Sequence, residues 1–283
     1  SGGSFGFTKV GAGTTVISGN NSYSGTTTIS GGTLSVGHNS ALGTGSVAFN
    51  GGTLAATTGV TLANNVSTAS ANGNITASGG TMVLNGNITG DRGLTLTPTN
   101  KITLAGTNSF ATATGGTNTF YALIVNGGAG GVDITGSTTV GTAGAGGTSR
   151  NGAFAMGGTS TVTIQSGGSL TVNGSGTTAT DIPNSIIGQN AAVTSTVLVN
   201  GGSLTIGAST GFILGNGNNN NIAANGVLTI SSGTATINRG TVGVANGTDT
   251  RLIMMGRDSN SATGTVNLNG GTLATDRQFV RDG

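Results

Sequence analysis

The chain has 283 residues, 57 of them glycine, and it contains no cysteine and no tryptophan. Charged residues are only 6% of the total, against about 25% in ordinary globular domains, and the formal net charge is +2. Because the cations are few and scattered, this composition argues against nucleic-acid binding, which needs a basic face. No apolar run is long enough to predict a membrane-spanning helix, and the absence of cysteine fits an exported bacterial surface protein.

Local propensities favour strands along the whole chain. Glycine and β-branched residues both disfavour helix, and few windows of this sequence lack both. Threonine and valine favour strands, whereas asparagine and glycine favour turns. A glycine-rich chain of this kind could also be a disordered linker, but its valine, isoleucine and leucine residues alternate regularly with polar ones. The sequence therefore predicts an all-β protein of many short strands.

One phrase recurs along the chain: a short alternating run, two glycines and a second alternating run. Its copies are SGGTLSV at 30–36, NGGTLAA at 50–56, SGGTMVL at 78–84, SGGSLTV at 166–172, NGGSLTI at 200–206 and NGGTLAT at 269–275, with a degenerate copy, SSGTATI, at 231–237. The glycine pairs are predicted to form corners, because glycine adopts positive φ without a steric penalty. These corner residues are Gly31, Gly32, Gly51, Gly52, Gly79, Gly80, Gly167, Gly168, Gly201, Gly202, Gly270 and Gly271.

Residues that alternate on either side of each corner are predicted to face a common interior. In the copy near 167, the extra residue Gln165 precedes the corner and predicts a β-bulge. The predicted core stack consists of Leu34, Val47, Phe49, Leu54, Leu170, Val197, Val199, Leu204, Leu228, Ile230, Val266, Leu268 and Leu273.

The spacing of the phrase predicts a solenoid. The glycine pairs begin at positions 31, 51 and 79 and again at 167, 201 and 270, so the intervals between them do not share one strict period. Coils of roughly 20 to 25 residues with loops of variable length account for this, so we expect an irregular right-handed parallel β-helix. About 13 such coils would form a rod of roughly 60 Å. A propeller or β-sandwich is the alternative, but a propeller would show an aromatic signature in each blade.

A second phrase, an apolar pair followed by glycine, occurs at 186–188, 213–215 and 254–256, and it predicts strands on a second sheet. We interpret residues 1–283 as a single β-solenoid segment of a longer protein. Within it, 11–54 is the clearest repeat, 105–160 holds irregular coils or a loop region, and 161–283 is a second repeat block.

The segment 11–54 resembles the autotransporter-associated β-strand repeat of bacterial surface proteins. It has a G-x-G-T-hydrophobic opening, an N-x-Y-x-G turn, a G-G-T-L arch and a G-x-G strand start. The matching residues are Gly11, Gly13, Thr14, Val16, Asn21, Tyr23, Gly25, Gly31, Gly32, Thr33, Leu34, Gly43 and Gly45. Looser copies, such as the one that begins at Thr263, extend the resemblance over most of the C-terminal half. The resemblance implies a passenger-type β-helix that is secreted or displayed at the cell surface, as in stalks, adhesins and matrix components.

A polysaccharide-cleaving β-helix is the alternative function. Glycosidic cleavage needs two carboxylates about 5 to 9.5 Å apart, and the acids of this chain are all aspartates. The candidate pairs are Asp249 with Asp258 and Asp276 with Asp282, and coils of about 22 residues would stack Asp258 on Asp282 and Arg257 on Arg281. Solvated Asp–Arg neighbours in surface loops explain the same pattern, and we favour that interpretation.

Other residues that could carry chemistry are few. His38 is the single histidine, so a multi-histidine metal site is excluded within this chain, and we expect it in a solvated turn. Outward-facing aromatic residues could stack on sugars, although we expect Phe49, Phe120 and Phe212 in the core. The candidates for such a stripe are Tyr23, Phe110, Phe120, Tyr121, Phe154 and Phe279.

We therefore predict no catalytic residue, no metal site and no cofactor. The predicted function is that of a non-enzymatic extracellular structural protein, a rigid rod for adhesion, stalk or matrix. The expected partners are surface glycans or other cells. Because the first and last coils of a solenoid have open strand edges, end-to-end self-association into fibres is a second expectation.

Overall fold

The protein is an all-β solenoid of parallel strands. The computed structural model describes residues 4–112, 121–142, 153–174, 184–189, 192–207, 210–217, 223–238, 252–257 and 261–281. These residues form 28 strands and no helix, so none of them forms a helix that could cross a membrane. The prediction of an all-β parallel solenoid is confirmed.

The strands lie on three faces, which we call A, B and C in the order in which a complete coil visits them. Face A consists of β7 (Val60–Leu62), β10 (Met82–Leu84), β13 (Ile102–Leu104), β16 (Val132–Ile134), β19 (Ser160–Gln165), the first halves of β22 (Thr194–Ile206) and β24 (Asn225–Ile237), and β26 (Thr263–Leu268). Face B consists of β1 (Phe7–Lys9), β3 (Thr27–Ile29), β5 (Val47–Phe49), β8 (Val66–Ser67), β11 (Ile88–Gly90), β14 (Asn108–Thr112), β17 (Ser137–Thr142), β20 (Ser169–Asn173), the second halves of β22 and β24, and β27 (Thr272–Thr275). Face C consists of β2 (Thr14–Ile17), β4 (Thr33–Val36), β6 (Thr53–Ala56), β9 (Gly73–Thr76), β12 (Leu94–Thr97), β15 (Leu123–Asn126), β18 (Phe154–Gly157), β21 (Asn184–Gln189), β23 (Gly211–Asn216), β25 (Leu252–Arg257) and β28 (Gln278–Arg281).

Eleven coils, or rungs, stack along the axis, since face C has 11 strands in sequence order. At about 4.8 Å per step the described rod is roughly 50 Å long, shorter than the roughly 60 Å expected from 13 coils. Faces A and B form one 17-stranded sheet, because β22 and β24 run through the corner between them. The second and third rungs have no strand on face A, since residues 18–26 and 37–46 pass that position without strand pairing.

The coil length changes halfway along the rod. Equivalent face B residues are 19 to 22 positions apart from Phe7 to Ser109, as expected from the sequence. From Asn108 onward the pairs are 30 to 38 positions apart, so the shorter coil expected from the sequence is wrong there. The added residues fall mainly between faces B and C: β14 ends at Thr112 and β15 begins at Leu123. Such insertions are tolerated because they leave the strand register unchanged.

Alternate residues of each strand point into a single continuous core. In β19, for example, Ser160, Val162 and Ile164 are buried and the residues between them are partly exposed. The rungs between the first and the last contribute buried apolar side chains to the same cluster, and the terminal rungs pack partly buried residues, such as Phe7 and Leu273, against it. The core therefore extends along the rod without a break between repeat blocks.

Two details predicted from the sequence are confirmed. Gln165 pairs with both Asn200 and Gly201, which is the register shift of a β-bulge. The three apolar-pair-glycine segments form β21, β23 and β25, which are neighbours on the second sheet, face C. Their glycines, Gly188, Gly215 and Gly256, all have positive φ and lie one above another in adjacent rungs.

Candidate functional surfaces

The recurring glycine phrase lies at three different corners of the rod. The pairs at 31–32 and 51–52 connect faces B and C, whereas the pair at 79–80 connects faces C and A. The pairs at 167–168, 201–202 and 270–271 lie at the corner between faces A and B. Spacings between unlike corners are not coil lengths, which explains why the phrase shows no single period.

Positive φ is not the general reason for glycine at these corners. Of the predicted corner residues, it occurs at Gly32, Gly51, Gly52, Gly167 and Gly201. Gly270 and Gly271, where the sequence also predicts it, do not have positive φ. A Cβ on Gly271 would instead fall less than 3.0 Å from atoms of the rung beneath it. These glycines are required because the backbones of successive rungs pass too close for any side chain.

The corner between faces A and B holds one such glycine in each of seven consecutive rungs. At each of them a Cβ would come closer than 3.0 Å to atoms of a neighbouring rung. This column consists of Gly86, Gly106, Gly136, Gly168, Gly202, Gly233 and Gly271. The first three were not identified from the sequence, because Gly86, Gly106 and Gly136 stand alone and not in Gly-Gly pairs.

Most residues of the predicted core stack are fully buried. Leu34, Val47, Phe49, Leu54, Leu170, Val197, Val199, Leu204, Leu228 and Ile230 are each at most 2% exposed. In the last rung, Val266 and Leu273 are half-buried against the core, and Leu268 is 56% exposed. The expectation of an interior Leu268 is therefore wrong. Leu268 pairs with the buried Ile230 on one side, but no further rung of described residues covers its other side.

A buried cation lies at the corner between faces B and C in each terminal rung, Lys9 in the first and Arg277 in the last. Lys9 donates hydrogen bonds to the backbone carbonyls of Val10 (2.7 Å), Gly11 (2.8 Å) and Gly31 (3.1 Å). The residues next to Lys9 and Arg277 in the sequence do not indicate that these side chains are buried. Sequence reasoning therefore did not identify these two sites. Both cations donate to backbone carbonyls at the corners, and these buried hydrogen bonds stabilise the terminal rungs.

Arg277 connects the last rung to the rungs before it. Its Nε and two terminal nitrogens donate to the carbonyls of Asn238 (2.7 Å), Thr210 (2.8 Å) and Gly207 (3.0 Å). These acceptors belong to the two preceding rungs. One side chain thus joins three consecutive coils.

The residues proposed for glycosidic chemistry do not form a described pair. Asp249, Asp258 and Asp282 lie outside the described residues, and Asp276 is exposed. Arg281 pairs with Met255 and not with Arg257, so the predicted stacking of the two arginines is wrong. Among the described residues there is no group of three or more side chains that could hold a metal ion.

His38 and the aromatic residues form no single cluster, although the rings of Phe5 and Tyr23 stack with centroids 6.2 Å apart. His38 lies in an exposed turn, where its Nδ1 accepts a hydrogen bond from the backbone of Ser40 (3.0 Å). Tyr23, Phe110 and Phe154 are buried, as are Phe49 and Phe212 in the core. Phe279 is 46% exposed in the last rung, and Phe120 lies outside the described residues. The described aromatic residues therefore form no outward stripe for sugar stacking.

The most regular surface is the outward side of face B. One central residue per rung points outward, and the strand register connects these residues through all 11 rungs. This central column consists of Thr8, Thr28, Ala48, Ser67, Thr89, Ser109, Thr139, Thr171, Thr205, Thr236 and Ala274. Every member except Ala48 and Ala274 carries a hydroxyl group, and none is charged.

A second column lies two residues earlier in each strand. Its members in the last five rungs are again connected by register, namely Ser137, Ser169, Ser203, Thr234 and Thr272. The corresponding residues of the six preceding rungs are Gly6, Thr26, Ser46, Asn65, Asn87 and Thr107. The side chains follow the stacking, since Ser169 Oγ donates to Ser137 Oγ (3.2 Å) and Thr26 Oγ1 lies 3.3 Å from Ser46 Oγ. We call the two columns together the hydroxyl face.

Comparison with family models gives two matches to the passenger-associated-transport-repeat, at residues 7–36 and 251–274. These two matched segments are similar to that repeat, and together they cover less than half of the chain. The first match covers strands β1 to β4 and includes much of the segment whose residues resembled that repeat, while the second runs from β25 to β27. Passenger repeats thus lie at both ends of the described rod. Comparisons with curated proteins and with solved structures find no significant match.

Proposed function

We propose that this chain is a structural segment of an exported autotransporter-type passenger, a rigid rod that displays surface for adhesion or builds a stalk or matrix. The observation that carries the proposal is the continuous core, which extends through all 11 rungs with passenger repeats in its first and last rungs. Among the described residues one core runs from rung to rung, which favours a rigid rod over domains that move against each other. Its function is then to keep surfaces a fixed distance apart.

Export is tested on intact cells of the source organism. An antibody against the chain is expected to label the cell surface or the medium, and added protease is expected to remove the cell-bound label. Labelling only after the cells are permeabilised would contradict the proposal. A cytoplasmic marker protein serves as the control for cell integrity.

Rigidity is tested separately by small-angle X-ray scattering of the isolated chain. The folded core is expected to scatter as a rod of about 50 Å, from 11 rungs at about 4.8 Å each. A scattering profile of a flexible string of beads would contradict a rigid segment, whatever the cellular location.

A second proposal concerns end-to-end association. Among the described residues, the large apolar side chains that are exposed lie in the terminal rungs: Phe5, Val10 and Val16 in the first, and Leu268 and Phe279 in the last. The strands of these rungs also present open edges, which can pair with another chain. We propose that a second copy of the chain covers them. On faces B and C, the strands available for such pairing are β1 and β2 of the first rung and β27 and β28 of the last.

The double variant Leu268→Asn with Phe279→Ser tests this association by sedimentation velocity. The parent chain is expected to form longer species as concentration rises, and the double variant is expected to stay monomeric. The matched control is Val83→Asn, which changes a half-buried outward residue in the middle of face A. A parent chain that remains monomeric at all concentrations would refute end-to-end association without affecting the proposal of an exported rod.

A further inference from the structure

The hydroxyl face is regular and uncharged, and most of its side chains carry a hydroxyl group; the exceptions are Ala48 and Ala274 in the central column and Gly6, Asn65 and Asn87 in the second. Along the axis its hydroxyl groups repeat at about 4.8 Å, and across the strands the two columns are about 6.6 Å apart, which is two residues of strand. Neither column contains a charged or aromatic residue. Face A differs, since its outward column includes Asp133, which accepts a hydrogen bond from Lys101 (2.9 Å).

These properties disfavour most macromolecular partners. An uncharged surface offers no attraction to nucleic acid or to anionic lipid. Sugar-binding surfaces rely on aromatic stacking, for which this face has no ring. The face measures about 50 Å by about 10 Å, or about 500 Å², which is below the ~800 Å² per partner of a stable protein interface. A second copy seated on this face alone would therefore bind weakly.

A layer of ordered water is compatible with the regular, uncharged hydroxyl face. Each threonine presents a hydroxyl group, which both donates and accepts a hydrogen bond, beside a methyl group that favours an ordered water cage around it. Because the hydroxyl groups repeat at two fixed spacings, water bound to them would form a two-dimensional lattice with the same two spacings. Oxygen atoms on the faces of ice crystals have repeats in the same range. We infer that the hydroxyl face binds the surface of ice.

This inference goes beyond the proposed function, since it assigns a ligand class to one face of the rod whether or not the rod is a stalk or an adhesin. Adsorption is cooperative along the axis, because every rung except those of Ala48 and Ala274 adds a hydroxyl group to the central column in register with its neighbours. A bulky charged side chain in the middle of the face would interrupt the lattice on both sides. The same change on another face would leave the lattice intact.

The experiment measures inhibition of ice recrystallisation and thermal hysteresis by the whole chain and two matched variants. Thr171→Lys lies on the hydroxyl face, and Thr163→Lys lies outward on face A of the same rung; both threonines are half-buried. The parent chain is expected to inhibit recrystallisation at micromolar concentration. We expect Thr171→Lys to raise the concentration required at least tenfold and Thr163→Lys to change it less than twofold.

Each other outcome overturns the inference. A parent chain that is folded by circular dichroism and inactive toward ice refutes it, as does an equal effect of the two variants. If Thr171→Lys fails to fold, Thr89→Lys, at an exposed position of the same column, replaces it. Retention on crystalline cellulose or chitin without activity toward ice would assign the face to a neutral polysaccharide instead. A concentration-dependent dimer that Thr171→Lys abolishes would assign it to a second copy.

Discussion

At the scale of single residues, the corners of the stacked rungs restrict which residues can occupy them. At the corner between faces B and C, a buried cation of each terminal rung donates hydrogen bonds to backbone carbonyls. Arg277 does so for three carbonyls of the two preceding rungs. Glycine solves a different problem, since corner backbones of successive rungs approach too closely for a Cβ. Both effects depend on contacts between rungs and not on the local chain.

Replacing Arg277 by Met tests the first effect. The apolar side chain retains the volume but removes the Arg277 donors to three backbone carbonyls, of which Gly207 O keeps the N–H of Thr210, so the free energy of unfolding is expected to fall by about 2 to 4 kcal/mol. Hydrogen exchange around Gly207 and Thr210 should rise most. Arg281→Met, at an exposed position of the same rung, is the control and is expected to change stability by less than about 0.5 kcal/mol. Equal effects of the two variants would contradict the assigned role.

Replacing Gly136 by Ala tests the second effect. A Cβ there would clash with the carbonyls of Ala105 and Gly106, and the stacked backbone cannot move aside, so we expect a loss of about 2 to 3 kcal/mol in urea denaturation. Gly141→Ala in the same rung is the control, because its nearest contact would be the Asn173 carbonyl at 3.5 Å. If Gly136→Ala is as stable as the control, close approach is not the reason for the glycine column.

At the scale of elements, strands of adjacent rungs are also connected by asparagine side chains. Asn108 is 2% exposed, accepts from the backbone N–H of Ile88 (2.9 Å) and donates to Gly106 O (3.2 Å) and Thr138 Oγ1 (3.1 Å). Asn87, at an exposed position, accepts from the N–H of Thr107 (2.9 Å). The side chains thus extend the backbone ladder around the corner between faces A and B.

We expect the burial of each asparagine side chain to determine how much it contributes to the free energy of unfolding. Asn108→Ala leaves buried backbone groups unpaired and is expected to lower the free energy of unfolding by about 2 to 3 kcal/mol. Asn87→Ala exposes its partner N–H to water and should cost about 1 kcal/mol or less. Chemical denaturation of the two variants measures the difference. A larger loss for Asn87→Ala would show that corner geometry matters more than burial.

At the scale of the whole molecule, stability is the sum of nearly equivalent rungs and the interfaces between them. Met82 pairs with Val60 on one side and Ile102 on the other, so residues 82–101 form one complete rung whose removal restores the same pairing. Deletion of 82–101 is expected to give a folded rod that is about 4.8 Å shorter, measured by small-angle X-ray scattering.

Deletion of 82–91 removes half a turn and is the matched control. It would place strands of different faces against one another and expose core residues, so this variant is expected to unfold or aggregate. Equal folding of both deletions would contradict a rung-by-rung architecture.

The sequence alone determines the strand class, the parallel solenoid and most of the core, because alternation and glycine spacing are local properties of the chain. It also identifies the bulge at Gln165 and the repeat that both terminal segments carry. The tertiary structure alone decides which corner each Gly-Gly pair forms, since the same phrase fits all three. The stack also decides that Leu268 is exposed, that Arg277 is buried and that the outward threonines of face B align in register. Each of these outcomes depends on which residues of the adjacent rung contact the position. Because the coils differ in length, the sequence does not show which residues those are.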